Sequence, residues 1–226
     1  MSVTHEEAAR VRKYLWSHEQ VPTVKIAVLG SNGVGKRSIL QRLCYGCVID
    51  GSRDSPTVEL EWHKHVTIQG RDVHLQFDLI QGDACEMSEA ELLEYVRPNE
   101  ACFLLYDVTR RDSFDMLDKL REVYTKRRRI PRRQARSNTV FVIANRTDRW
   151  RGDWTVSMHE ADEFAQSFGA HFLQMSALTG KGTGDEVVVD MLGHILLNRI
   201  LDEAGPRYLT KPVVIEEDDR RSMYEP

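Results

Sequence analysis

Apolar and polar residues follow two different periods along this chain. Short β-branched apolar runs, of which residues 24–29 (VKIAVL) are one example, are typical of strands buried on both faces of a sheet. Between these runs lie longer segments in which apolar residues recur every three or four positions, as in an amphipathic helix. Strands that alternate with helices predict an α/β fold with a mainly parallel sheet and helices on both faces.

The same patterns place the individual elements. We predict strands at residues 24–29, 58–67, 73–79, 101–108, 139–144 and 171–175, with a tight turn at Gln69-Gly70 between the second and third. Helices are predicted at residues 4–19, 88–96, 113–129, 157–168 and 186–201, and another continues from the loop that follows the first strand. Three of the helix starts carry the Ser/Thr-x-x-Glu capping pattern, at Thr4/Glu7, Ser88/Glu91 and Ser157/Glu160.

The 226 residues suit a single domain with extensions at both ends. We assign residues 1–22 to an N-terminal helical extension that docks on the domain or on a partner. Residues 23–203 form the domain, and residues 204–226, which are rich in charge, form a disordered tail. The hydrophobic content of 41% and the charged content of 29% are ordinary for a globular protein.

A glycine-rich loop follows the first strand and carries the main chemical signal. Its sequence, Gly30-Ser31-Asn32-Gly33-Val34-Gly35-Lys36, stands between a strand and a helix and therefore matches the P-loop pattern G-x-x-x-x-G-K. Glycines allow several backbone N–H groups to point at one anion, and the helix start adds its own N–H groups and positive dipole end. We expect Lys36 to reach the outer phosphates of a bound nucleotide.

The position after the lysine departs from the pattern. A Ser or Thr hydroxyl there would bind Mg²⁺, but this chain has Arg37, and Ser38 follows one residue too late. A guanidinium about 4 Å from a dication would be repelled by roughly 8 kcal/mol at an effective dielectric constant of about 20. We expect weakened magnesium binding rather than loss of nucleotide binding, with Arg37 either turned away or partly neutralising the phosphates.

A second motif selects the base. Asn145-Arg146-Thr147-Asp148 follows a predicted strand, and the carboxylate of Asp148 can accept hydrogen bonds from the ring N–H and amino group of guanine. Adenine does not offer these donors in that arrangement. Asn145 would tie the base edge to neighbouring loops, and Ser176-Ala177 at the next strand end can present a backbone N–H to the guanine carbonyl. The predicted ligand is therefore GTP or GDP, and a P-loop enzyme that uses ATP is disfavoured.

With both motifs in order, residues 24–200 resemble a small GTPase of the Ras superfamily, close to its Rab and Ras branches. The segments SPTVE (55–59), LLYDVTRRDSFDML (104–117) and EADEFAQSFGAHFLQMSALTG (160–180) are similar to that family's sequences. The resemblance implies a six-stranded, mostly parallel sheet and two switch segments that sense the third phosphate. By similarity, Thr57 is the first-switch threonine that would meet Mg²⁺ and the γ-phosphate.

The second switch segment departs from the family pattern Asp-x-x-Gly-Gln. In an ungapped alignment, Leu79 takes the aspartate position, Gly82 the glycine and Asp83 the glutamine. If the strand is instead one residue shorter, Asp78 takes the magnesium position as an indirect ligand, Gln81 replaces the glycine and Gly82 replaces the glutamine. We prefer the first alignment because it keeps the glycine that would bind the γ-phosphate. In it, Asp83 adds negative charge where a neutral amide normally positions water.

Three further substitutions lie at nucleotide-binding positions of the family. Asn32 replaces a glycine beside the γ-phosphate, and its side chain can crowd the geometry of hydrolysis. Arg146 replaces the lysine of the base motif and can still lie along the base. Leu178 replaces a lysine that packs against the base.

These features predict a guanine-nucleotide switch, or a GTP-bound subunit, with weak intrinsic hydrolysis, in which Lys36, Thr57, Gly82 and Asp83 are the catalytic candidates. The alternative is a pseudo-GTPase, an interaction module that does not cycle its nucleotide. Protein partners would bind through the switches and the N-terminal helix, among them effectors and regulators of exchange and hydrolysis. The basic segment from Lys126 to Arg136 is either a solvated helix end or a docking surface for an acidic partner, lipid headgroups or an import receptor.

The chain's overall charge and its cysteines bear on location. A net charge of −4 predicts no general affinity for nucleic acid. No cysteine follows Cys102, so we expect no prenyl anchor. We therefore expect a cytoplasmic protein that reaches membranes through a partner.

Overall fold

The computed structural model describes residues 3–47, 62–80, 83–128 and 138–204. Within them, six strands form one sheet in the order β2-β3-β1-β4-β5-β6. The strands are β1 (Thr23–Leu29), β2 (Trp62–Ile68), β3 (Arg71–Leu79), β4 (Ala101–Asp107), β5 (Thr139–Asn145) and β6 (His171–Gln174). Only the β2–β3 pair is antiparallel among these neighbours. The predicted six-stranded, mostly parallel sheet is confirmed.

Helices cover both faces of the sheet, as predicted. They are α1 (His5–Trp16), α2 (Lys36–Tyr45), α3 (Glu89–Val96), α4 (Arg111–Asp115), α5 (Leu117–Arg128), α6 (Met158–Ser167) and α7 (Asp185–Ala204). A first core lies between the sheet and helices α1, α2 and α7, and a second lies between the sheet and helices α3 to α6. The central strands β4 and β5 are buried along their whole length because both of their faces meet a core.

Helix α1 is the N-terminal extension, and it packs against α7. Thr4 and Glu7 form the predicted reciprocal capping box at its start. Val11 and Leu15 are buried in the first core, and the indole nitrogen of Trp16 donates to the carbonyl of Gln69 at 3.2 Å. The helix ends at Trp16, three residues earlier than predicted, because Ser17 caps it with backbone and side-chain hydrogen bonds to the last turn.

The β2–β3 hairpin turns at Gln69 and Gly70, as the sequence predicts. Both residues have positive φ angles, 52° and 74°, which is the backbone conformation of the tight turns that match the twist of a hairpin. The hairpin strand β2 begins at Trp62 in the described residues, so the first part of the predicted strand at residues 58–67 lies outside them.

Two helix predictions need correction. The single helix expected at residues 113–129 is divided into α4 and α5, which are separated at Met116. At the start of α6 the Ser157 side chain accepts from the Glu160 amide at 3.1 Å, but the reciprocal bond of a full capping box is not formed there.

The structure describes only the first residues of the basic segment from Lys126 to Arg136. Lys126 pairs with Glu89 at 2.6 Å, and residues 129–137 lie outside the described residues.

None of the helices in the described ranges has the length and apolar character needed to span a bilayer.

Candidate functional site

The glycine-rich loop lies at the carboxyl end of β1, against the ends of β4 and β5. Gly30, Gly33 and Gly35 have φ angles of 149°, 77° and 94°, which disfavour residues with a side chain. A Cβ atom on Gly30 would lie 2.5 Å from the carbonyl oxygen of Leu105, and one on Gly35 would lie 2.4 Å from Nδ2 of Asn145. The loop therefore requires glycine both for its backbone conformation and for its close approach to the neighbouring strands.

Lys36 begins α2 and folds back over this loop. Its Nζ donates to the carbonyl of Gly30 at 2.6 Å and to that of Ser31 at 3.0 Å, and only 9% of the residue is exposed. Burial lowers the pKa of Lys36, while the nearby Asp83 and Cys85 act in the opposite direction. A buried ammonium group beside a glycine-rich loop at the start of a helix fits a phosphate chain.

The base-selecting residues come together at the ends of β5 and β6. Asn145 Nδ2 donates to the carbonyl of Val34 at 2.8 Å, and its Oδ1 accepts from the amide of Ala177 at 3.3 Å. The hydroxyl of Ser176 donates to Oδ1 of Asp148. One asparagine thus links the phosphate loop to the loop after β6, and a serine orients the carboxylate that would read guanine.

Arg42 of α2 fastens the loop after β6 from the opposite side. Its Nε donates to the carbonyl of Ala177 at 2.9 Å, and its Nη2 donates to that of Leu178 at 2.7 Å. Leu178 itself is 71% exposed. Sequence reasoning missed Arg42, because it lies outside every motif and only the packing of α2 brings it to this loop.

Two arginines contact the outer side of the phosphate loop at successive carbonyls. Arg146 Nη2 donates to Gly33 at 2.9 Å, and Arg110 Nη1 donates to Asn32 at 2.8 Å. The guanidinium of Arg146 also forms an ion pair with the fully buried Asp107, with 2.8 Å between Nη1 and Oδ2.

The hydrogen bonds from Arg146 and Arg110 to the two loop carbonyls polarise the peptide groups to which those carbonyls belong. The N–H of each peptide group, which belongs to the next loop residue, then binds an anion more strongly. The sequence predicted a role for Arg146. It did not predict roles for Arg110 or Asp107, which lie in a segment (LLYDVTRRDSFDML) noted only for its similarity to the family.

Asp83 contacts the phosphate loop directly. Its Oδ2 accepts from the backbone N–H of Asn32 at 3.0 Å, and its Oδ1 accepts from that of Cys85 at 2.9 Å. Burial acts to raise the pKa of Asp83, but the two amide hydrogen bonds and the charge of Lys36 hold that pKa below its ordinary value. The carboxylate is therefore ionised at neutral pH.

The residues expected to hold magnesium are less well placed. Arg37 is exposed and offers no oxygen, and Ser38 is half-buried one position further along the helix. Thr57, Gln81 and Gly82 lie outside the described residues. In the described ranges no cluster of three or more His, Cys, Asp or Glu side chains is arranged to hold a metal ion. The described residues thus fit a guanine nucleotide, but they offer no Mg²⁺ ligand at the position after Lys36.

Strand β3 continues through Leu79, and this determines which side chains face α2. Leu79 packs against the core that contains α2, whereas Asp78 lies on the other face, where Tyr95 of α3 donates to its backbone carbonyl. The side chains of neighbouring strand residues point to opposite faces. Leu79, and not Asp78, therefore faces the side of the sheet on which α2 begins.

Comparison with known families places most of the chain in one of them. The model described as "Ras family" matches residues 25–196. That range includes the phosphate loop, the base-selecting loops and both contacting arginines. It leaves out α1.

Proposed function

The chain belongs to the Ras family, and from this we propose that it is a guanine-nucleotide switch, close to the Rab and Ras branches, with slow intrinsic GTP hydrolysis. Membership of the family itself implies a P-loop small GTPase that binds guanine nucleotide. The observation that carries the proposal is the bridge formed by Asn145, which joins the phosphate loop to the base-selecting loop through two hydrogen bonds. A turn residue with no role in binding would not connect both halves of the site.

Each half of the site has a defined task in this proposal. The loop N–H groups and Lys36 hold the phosphates, and Asp148, oriented by Ser176, accepts from the donors of guanine. Arg146, the second residue of the base motif, contacts the phosphate loop and can lie along the base. The loop that contains Ser176 and Ala177 would meet the guanine carbonyl, and the N–H of Ala177 donates to Oδ1 of Asn145 in this structure. Asn32, Val34, Arg37, Ser38 and Leu178 border these groups.

Slow hydrolysis follows from the groups that replace the catalytic ones. A neutral amide that could orient water is replaced by the ionised Asp83, whose like charge opposes the charge that develops on the phosphoryl oxygens. Leu79 faces α2 and cannot bind a magnesium-held water. Arg37 offers no hydroxyl. Thr57 and Gly82 remain the candidates for sensing the third phosphate.

A pseudo-GTPase is the second candidate, and the position of Arg37 favours it. An exposed guanidinium where Mg²⁺ needs an oxygen ligand is compatible with a site that holds nucleotide without turnover. In either case we propose that partners bind through the switch segments and α1. We also propose a cytoplasmic location, with recruitment to membranes by a partner, and an acidic partner as the ligand of the segment from Lys126 to Arg136.

The first experiment is to denature the purified protein and identify the released nucleotide by chromatography. Guanine nucleotide in near-stoichiometric amount is the expected result. An empty site after preparation with excess GTP and Mg²⁺ would contradict the proposal.

A single-turnover assay with radiolabelled GTP then separates the two candidates. Slow phosphate release that disappears in Lys36→Ala and persists in Lys13→Ala, an exposed lysine of α1, supports the switch. A rate that Lys36→Ala leaves unchanged would remove the hydrolytic function, and bound GTP that stays intact would identify the pseudo-GTPase.

A further inference from the structure

We propose that Asp83 determines phosphate specificity, so that this site prefers GDP over GTP. The inference rests on the proposed guanine-nucleotide function and goes beyond it, because it assigns a preference between two ligands of the same site. It is carried by the position of one carboxylate on the phosphate loop.

Asp83 is held against the loop by its surroundings. Its two carboxylate oxygens accept from the backbone N–H groups of Asn32 and Cys85. The thiol of Cys85 in turn lies 3.6 Å from the hydroxyl of Ser31. Lys119 of α5 holds the backbone that follows Asp83, because its Nζ donates to the carbonyls of Cys85 at 2.8 Å and Met87 at 2.6 Å. The carboxylate is therefore anchored rather than free to swing into solvent.

This position belongs to the outer-phosphate end of the site. Lys36, which is expected to reach the outermost phosphates, interacts electrostatically with Asp83. The N–H of Asn32 is one of the loop donors from which an anion would gain stabilisation, and Asp83 already uses it. A third phosphate would have to share both the donor and the lysine with a carboxylate.

The two nucleotides differ only in this third phosphate. The base and the inner phosphates bind to Asp148, Asn145 and the rest of the loop, and these contacts are common to GDP and GTP. Repulsion between Asp83 and the additional phosphate charge therefore acts on GTP alone. Because it lowers the affinity for GTP and not for GDP, it makes the site prefer GDP.

The nearby positive charges do not cancel the effect. Arg110 contacts the carbonyl of Asn32, on the outer side of the loop, and its charge is paired with Asp112 at 2.6 Å. Lys36 serves both nucleotides. Asp83, in contrast, places its negative charge directly on the N–H of Asn32.

The test is a competition assay with a fluorescent GDP derivative, in which GDP and a non-hydrolysable GTP analogue displace the probe. The wild-type protein is expected to bind GDP more tightly. Asp83→Asn removes the charge but keeps an oxygen that can accept from Asn32, so it should raise the affinity for the GTP analogue by about tenfold and change GDP affinity by less than about threefold. Asp83→Glu retains the charge and should retain the preference. Glu86→Gln removes an exposed charge from the same segment and should have no effect.

The outcomes are separable. Equal affinities in the wild-type protein, or a ratio that Asp83→Asn leaves unchanged, would overturn the inference. A wild-type protein that fails to bind the GDP probe would overturn the proposed function instead. The preference should also weaken as salt is raised from about 0.05 to about 0.5 M, because the repulsion is electrostatic, and a thermal melt of each variant confirms that it is folded.

Discussion

At the scale of single residues, the site depends on side chains that reach carbonyl groups of neighbouring loops. Asn145, Arg42 and Arg110 each bind backbone of a segment distant in sequence. Such bonds hold a loop in one conformation before the ligand arrives, and this preorganisation improves affinity because less freedom remains to be lost on binding. Their contribution is therefore expected in nucleotide retention and not only in stability.

Arg42 allows this to be tested without touching the ligand. Arg42→Ala removes two hydrogen bonds to the loop that contains Ala177 and Leu178, so we expect GDP to dissociate about tenfold faster, on the scale of one charge-assisted hydrogen bond. The measurement is the displacement of a fluorescent GDP derivative under excess unlabelled GDP. Arg12→Ala, on the exposed side of α1, should leave the rate unchanged. An unaltered rate in Arg42→Ala would show that this arginine only stabilises the fold.

At the scale of elements, the N-terminal helix is an integral part of the first core. Val11 and Leu15 are buried beside α7, and the Tyr14 hydroxyl donates to Glu203 at 3.0 Å. Helices of this length gain most of their stability from packing. Helix α1 lies outside the region of family similarity. It nevertheless covers apolar surface of the domain that would otherwise be exposed to solvent.

Leu15→Ala measures this contribution. Leu15 is fully buried, so its truncation should lower the free energy of unfolding by about 2–4 kcal/mol, as is usual for core leucines. Urea denaturation followed by circular dichroism provides the value. Lys13→Ala on the same helix is the control and should change the stability by less than about 0.5 kcal/mol. A negligible effect of Leu15→Ala would mean that α1 is undocked in solution.

The packing of β6 against α7 carries a pH dependence. The His171 ring stacks on Phe141, and its centre lies 4.2 Å from the centre of the His194 ring. Burial, together with the charge of His194, lowers the pKa of His171 from 6.5 to about 4. Between pH 4 and pH 6.5 the unfolded chain therefore binds more protons than the folded one. The contribution of the neutral imidazole is therefore complete above pH 6.5 and is lost as the pH falls toward 4.

His171→Phe should remove this part of the dependence. We expect urea denaturation at a series of pH values to give a shallower fall in stability between pH 6.5 and 4 for the variant than for the wild-type protein. His159→Phe, at an exposed histidine of α6, should keep the wild-type slope. Identical slopes in all three proteins would contradict the assigned role.

At the scale of the whole molecule, nucleotide binding and folding are coupled. The ligand would contact loops after β1, β5 and β6, of which β1 and β5 lie inside the sheet and β6 forms one of its edges. A ligand that binds only the folded protein stabilises it by about 2.7 kcal/mol when its concentration is one hundred times its dissociation constant.

This coupling gives a test of base selection. GDP should raise the midpoint of thermal unfolding by several degrees, whereas ADP at the same concentration should not, because Asp148 finds no matching donors on adenine. Differential scanning fluorimetry checks both. Asp148→Ala should abolish the shift with GDP, and an equal shift with ADP would contradict the assignment of guanine.

Local patterns in the sequence determined much of this molecule. The periodicity of apolar residues predicted the six strands and their helices, because burial depends on which side of an element each residue faces. The P-loop and the Asn145–Asp148 motif predicted the ligand class, because each is a short segment whose chemistry depends on local spacing. The division between α4 and α5 was not predictable, since no Gly or Pro marks Met116.

The tertiary structure decided which distant side chains act on those motifs. Arg42, Arg110 and Asp83 each contact a loop residue at least 51 positions away in the chain. Of these contacts, the sequence indicates only that Asp83 adds charge near the phosphates. A guanidinium on a helix or loop looks the same in sequence whether it meets solvent or a backbone carbonyl. Only the packing of α2 and of the segments after β3 and β4 brings these groups to the phosphate and base loops, because long-range contacts depend on the fold as a whole.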